Sequence, residues 1–209
     1  MKNFLKLSLL ITVLSACSHD FNGPYEKLMA PVIKAKLAEP NKVFDGEIEP
    51  PMPDPVENNK TVLGVDVNKN DVRDDVEIFI NRTYSDSNVR KVMKQYVRDK
   101  ARFIRSVKFN DLKISKDALE KRFKTLSCLR FVYPNFDHEL VKKVSKVFNN
   151  EKFRDDAYGK SRSIVGPSPV SAGSSDFEQY EKYCEFKIDN YEKTKESFWK
   201  VIKSYEKKK

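Results

Sequence analysis

The stretch SNVRKVMKQYVRDKARFIRSV, residues 87–107, decides the fold. Its apolar side chains Val89, Val92, Met93, Tyr96, Val97, Ile104 and Val107 recur three and four positions apart. That spacing gathers them on one face of an α-helix. Arg90, Lys94, Arg98 and Arg102 are spread round the other face, where solvent is expected. Asp86 or Ser87 can cap its start, and Asn110-Asp111 breaks it. A helix this long hides its stripe only against other helices.

Those neighbours are legible on both sides. Upstream, Val76, Phe79 and Ile80 predict a short helix to about Tyr84. Downstream, Ser115 opens a helix with the stripe Leu119, Phe123, Leu126, Leu129 and Tyr133, stopped by Pro134. Asp137 caps the next, which turns Leu140, Val141, Val144, Val147 and Phe148 inward and ends at Asn149-Asn150. A short polar helix is expected from Glu151 to Lys160, and an exposed loop from Ile164 to Ser175. Ser175-Asp176-Phe177-Glu178 forms a capping box, from which one last helix is expected to reach Tyr205. Its stripe Phe177, Cys184, Tyr191, Phe198 and Tyr205 has a spacing of seven, but aromatic residues suit globular packing better than a coiled-coil seam. No internal repeat occurs, and the longest strand-period run is Thr61–Val65. The expected fold is all-α, a compact monomeric bundle of about five helices over residues 61–209.

The first sixty residues differ in kind. Met1 to Ala16 has a basic start (Lys2, Lys6), an apolar run from Leu7 to Leu14 and small residues ahead of a cysteine. The run is too short to span a bilayer and reads as a signal peptide, residues 1–16. Residues 18–60 hold seven of the ten prolines, including the run Pro50-Pro51-Met52-Pro53-Asp54-Pro55, so 17–60 is expected to be an extended tether with at most a short helix near Tyr25–Leu37.

Leu14-Ser15-Ala16-Cys17 resembles a bacterial lipobox. The resemblance implies cleavage before Cys17, lipidation of that cysteine, and, with Ser18 following it, an outer-membrane lipoprotein facing the periplasm or the cell surface. Acyl chains on one residue give firm anchoring, and nucleic acid drops out as a partner. The remaining chain carries 38 basic against 31 acidic side chains, formally +7, a surplus that suits an anionic partner, although Lys and Glu alternate as on solvated faces. In an oxidising compartment the two remaining cysteines, Cys128 and Cys184, are expected to pair.

One window carries ion chemistry. In Asp66-Val67-Asn68-Lys69-Asn70-Asp71-Val72-Arg73-Asp74-Asp75-Val76-Glu77, oxygen-bearing side chains fall at positions 1, 3, 5, 9 and 12. The spacing resembles the calcium loop of the EF-hand superfamily, including its dockerin-like and extracellular forms. It implies a structural Ca2+ held by Asp66, Asn68, Asn70, the Val72 carbonyl, Asp74 and Glu77. Asp71 stands at the sixth position where the family has Gly, and Arg73 at the eighth where it has an aliphatic residue. Asp tolerates the left-handed conformation at some cost. The same Asp and Asn residues also suit Asx turns and a helix cap.

Catalytic signals are sparse. His138 sits in an expected first helical turn, and no nucleophile elbow, zinc-binding helix or phosphate-cradling glycine loop occurs. Adjacent acids, Asp74-Asp75 and Asp155-Asp156, leave a hydrolase as the third reading. A periplasmic inhibitor or immunity lipoprotein is the second. The first is a calcium-stabilised, non-enzymatic binding module for an envelope protein or an anionic envelope component.

Overall fold

The computed structural model describes residues 23–106, 111–135, 137–166 and 177–206. In chain order the elements are α1 (Pro24–Ala38), β1 (Val43–Phe44), β2 (Glu47–Ile48), α2 (Pro55–Asn58), α3 (Asp74–Thr83), α4 (Ser87–Ser106), α5 (Leu112–Val132), α6 (His138–Phe148), α7 (Lys152–Val165), a 3-10 helix (Phe177–Tyr183) and α8 (Tyr191–Glu206). The fold is all-α apart from the antiparallel pair β1–β2, in which Val43 opposes Ile48 and Phe44 opposes Glu47. Local chemistry sets the helix starts. Asp54 accepts from the Val56 and Glu57 amides, Asp111 from those of Lys113 and Ile114, and Asp137 from that of Glu139.

Helix α4 is the axis of the domain. It packs most extensively against α5, with α3, α6 and α7 around it. Val89, Val92, Met93, Tyr96 and Val97 are buried as the periodicity predicts. So is much of the face expected to meet solvent: Arg90, Lys94, Gln95, Asp99 and Lys100 are all buried. Helical spacing shows which residues share a face but not how many faces are covered, and here partners surround the helix. A buried ion needs a counter-charge or hydrogen bonds, and most of these have one. Arg90 binds Asp45 at the hairpin tip, Lys94 binds Glu77, and Asp99 receives Thr125 and Arg102.

Residues 24–60 are not the expected tether. Met29 and Val32 of α1 join the main core, and Lys36 and Arg82 both bind the buried carboxylate of Glu49. The prolines extend the chain without detaching it; Pro50 is buried, while Pro24 and Pro55 open helices. A helix lies where Tyr25–Leu37 suggested one. Met1–Ala16 and Cys17 lie outside the described residues, as do most of the expected loop 164–175 and the Ser175 half of the capping box. Among the described residues no helix is long and apolar enough to cross a membrane.

The single last helix is also corrected. Residues 177–183 form a 3-10 turn, 184–190 are non-helical, and α8 begins at Tyr191. Two side chains of α4 explain the break. Gln95 donates to the Tyr183 carbonyl (2.8 Å) and accepts from the Glu185 amide (3.0 Å); Asn88 donates to the Asp189 carbonyl (3.0 Å) and accepts from its amide (2.8 Å). These bonds replace the ones a helix would have made. The expected disulfide Cys128–Cys184 is present and fixes this segment to α5. Phe131, Phe177, Tyr180, Phe198 and Trp199 form one aromatic cluster beside it.

Candidate metal centre

The window 66–77 folds into a tight loop that runs into α3. Lys69 and Asp71 have left-handed φ values of 56° and 64°. Asp71 thus takes at the sixth position the conformation that the resemblance assigns to glycine. Asp66 forms the pivot: its carboxylate accepts from the amides of Asn70 (3.1 Å) and Asp71 (2.8 Å). Asn68 and Asn70 converge from the loop on Glu77 of α3, each donating to the same carboxylate oxygen, at 3.1 and 2.9 Å. Asn70 also accepts from the Val72 amide. Asp74 accepts from the Val67 amide at 3.2 Å. The sequence-selected side chains therefore come together, with Val72 buried behind them.

The charges do not balance evenly. Asp75 has Arg73, Asp71 has Arg105 and Glu77 has Lys94. Among the described residues Asp66 and Asp74 have no cationic side chain, only backbone amides. Burial pushes the Asp74 carboxyl up to about 7, and the charges of Asp66, Glu77 and Asp75 add to the rise despite the Val67 hydrogen bond. Above that pH Asp66 and Asp74 together leave a local charge that one divalent cation would neutralise.

The donor set fits calcium in type, since acids and amides are hard oxygen ligands. The loop is closed by hydrogen bonds: Lys94 holds one Glu77 oxygen at 2.8 Å and the two asparagine amides hold the other. Among the described residues no three acid, histidine or cysteine side chains converge to metal-ligand distance. Binding therefore requires both amides to turn their oxygens inward and Glu77 to release Lys94. Lys94, which the helical pattern placed on a solvated face, is the neighbour of the loop that sequence reading missed. Only the fold brings it to Glu77.

Arg73, the second departure from the loop pattern, has its own task. Its buried guanidinium binds both Asp75 oxygens (2.5 and 3.0 Å) and donates to the carbonyls of Val147 and Phe148 at the end of α6. Tyr25 and Asn58 also donate to Asp75, each at 3.1 Å. A Cβ on Gly64 would strike Arg73 and Asn58 at 2.2 and 2.4 Å, and its φ is +68°, so this hub also dictates a glycine beside the loop. Arg154 completes the hub by donating to the carbonyls of Asn58, Thr61 and Val62.

The other candidate groups do not assemble. His138 is exposed at the start of α6. Asp155 accepts from Asn149 and Asp156 from Lys152, so the two acids face separate partners. Asp74 and Asp75 likewise have different roles. Comparison of the chain with protein-family models, curated proteins and solved structures returns no match.

Proposed function

We propose that this chain is an outer-membrane lipoprotein, anchored through Cys17, whose calcium-stabilised helical domain acts as a non-enzymatic binding module for an envelope protein or component. The observation that carries the calcium reading is the uncompensated pair Asp66 and Asp74 inside a loop with EF-hand spacing. The ion would be held by Asp66, Asn68, Asn70, Val72, Asp74 and Glu77. It would supply two positive charges beside Asp66 and Asp74, which have no cationic side chain of their own among the described residues. The loop links the segment around Asn58, which Asp75 holds, to α3, so an ion there would tighten the junction between the N-terminal segment and the helices. The lipobox-like ending and the basic surplus support the anchor and an anionic partner.

Calorimetric titration of the soluble domain with calcium is expected to show one site, with affinity in the ~10⁻⁵ to 10⁻³ M range of weak sensors and extracellular modules. Asp66→Ala and Glu77→Ala should abolish it. No heat, together with a melting temperature indifferent to chelator, refutes the calcium reading. Cys17→Ser should release the protein from salt-washed membranes, and pull-down from envelope extracts identifies the partner.

A further inference from the structure

Among the described residues several large apolar side chains are exposed, and four of them, Ile33, Leu37, Val43 and Ile48, lie on α1 and the neighbouring hairpin. Helix α1 packs on the body through Met29, Val32 and Lys36, yet it carries a second apolar strip. Ile33 and Leu37 lie one turn apart on it, and Leu37 is 77% exposed. Exposed Ala30 continues the strip, and Lys27 and Lys34 border it. The hairpin adds to this surface. Val43 and Ile48 are cross-strand partners, so they rise from one face, at 56% and 67% exposure.

The hairpin is held in that orientation. Phe44, on the opposite face, lies near the charged groups of Arg82, Arg90 and Lys42, at 5.2, 5.6 and 5.5 Å from its ring centre. Arg90 clamps Asp45 at the turn. Lys36 pairs with Glu49 at 3.1 Å, which brings their neighbours Leu37 and Ile48 to the same end of the domain. Aliphatic side chains fixed outward on a rigid frame contribute nothing to the core and mark a contact surface.

We propose that this face, α1 with the outer side of the hairpin, rests on a phospholipid bilayer. The proposal depends on the lipid-anchor reading. Chain length selects the occupant. Gly23 follows Cys17 by six positions, and six residues reach at most ~20 Å. A domain tied that closely to lipid presents the side on which its chain enters, which is α1. With α1 lying flat, Ile33 and Leu37, together with Val43 and Ile48 of the hairpin, meet the headgroup boundary while Lys27 and Lys34 reach anionic headgroups. Helix α1 alone is only weakly amphipathic and carries Glu26 on the same side, so the hairpin pair is needed to complete the contact.

The test uses the mature lipidated chain in phosphatidylethanolamine–phosphatidylglycerol vesicles containing brominated acyl chains. Ile48→Trp serves as reporter, Tyr205→Trp on α8 as control, and the chain with only native Trp199 as background. The expected result is a blue-shifted, quenched Ile48→Trp signal beside a control that behaves as in buffer. An unlipidated Cys17→Ser chain is expected to retain weak, salt-sensitive association with the same vesicles. The added pair Leu37→Asp and Ile48→Asp, both exposed and harmless to the core, should weaken it roughly tenfold. Vesicle-bound protein with an unquenched Ile48→Trp overturns the docking and leaves the anchor standing. Wild type that fails to stay with vesicles, behaving as Cys17→Ser does, overturns the anchor and the docking with it.

Discussion

Residues 58–77 and residues 177–198 each fasten one end of the folded chain to the central helices, and they use different chemistry. The first fastening is ionic: Asp75 collects Arg73, Asn58 and Tyr25, and beside it Glu77 holds Lys94. The second is mainly neutral and covalent: a disulfide, two amide side chains pairing with backbone, and an aromatic cluster, with the part-exposed ion pairs Lys91–Asp189 and Lys121–Glu185 at its edge. Protons and ions act on the first, and reductants on the second. A cation bound in the loop would act on the N-terminal junction, whereas the disulfide of the C-terminal junction persists in an oxidising compartment.

Breaking the ionic side should have the largest effect. Asp75→Ala leaves the Arg73 guanidinium buried without its carboxylate and removes the acceptor of Tyr25 and Asn58. A loss of ~3–5 kcal/mol is expected in urea unfolding, with proteolysis beginning in residues 23–60. A loss under about 1 kcal/mol, the worth of an exposed pair, would show that the hub does not hold the junction. The covalent side comes next. Cys128→Ser with Cys184→Ser removes a bond across a sequence separation of 56, which the chain-entropy model values at roughly 4 kcal/mol, with measured bridges typically at 2–4. Hydrogen exchange should rise in 177–206 while the loop 66–77 stays protected. Equal deprotection of both would mean that the two fastenings are not independent.

The smallest expected effect is a slope. Lys100 of α4 is 2% exposed and lies 4.7 Å from the ring centres of both Phe148 and Tyr158. Burial pulls its ammonium down to about 7, and the charge of Arg122 assists. The unfolded chain keeps that proton up to about 10.5 while the folded chain gives it up near 7. Between those values the unfolded state binds more protons, so this group makes stability rise with pH, by at most ~1.4 kcal/mol per unit. Below about 7 it adds no slope. Lys100→Met should remove the slope and leave the protein at least as stable near pH 7. An unchanged profile across pH 7–10 would place the titration elsewhere.

What the sequence disclosed and what it withheld divide along the same line. The stripe of α4, the caps at Asp111 and Asp137, the cysteine pair and the convergence of Asp66, Asn68, Asn70 and Glu77 rest on short-range spacing, and spacing is visible in one dimension. The prolines of 24–60 predict a tether because they disfavour helix interiors, yet an extended chain can still pack, as Pro50 and Glu49 do. The heptad spacing of Phe177 to Tyr205 implied one helix because the competing acceptors and donors sit on Asn88 and Gln95, far upstream. Arg73 and Lys94 looked like a blemish in a motif and a solvated charge. Their partners, Asp75 with the α6 carbonyls and Glu77, become neighbours only once α3, α4 and α6 meet.

The two amide side chains of α4 have a consequence for how this chain can vary. Asn88 and Gln95 engage the strip 183–189 through its peptide groups alone, and so place no demand on the side chains at 185 and 189. The side chains there have partners of their own, Glu185 with Lys121 (2.6 Å) and Asp189 with Lys91 (2.8 Å). These are part-exposed pairs worth at most about 1 kcal/mol each, so substitution at 185 and 189 costs less than loss of either amide. Proline is the exception, because it removes the N–H that each amide reads. Variation here is filtered at the backbone, and the identity that must persist lies about a hundred residues upstream, in two amides seven positions apart on one helix.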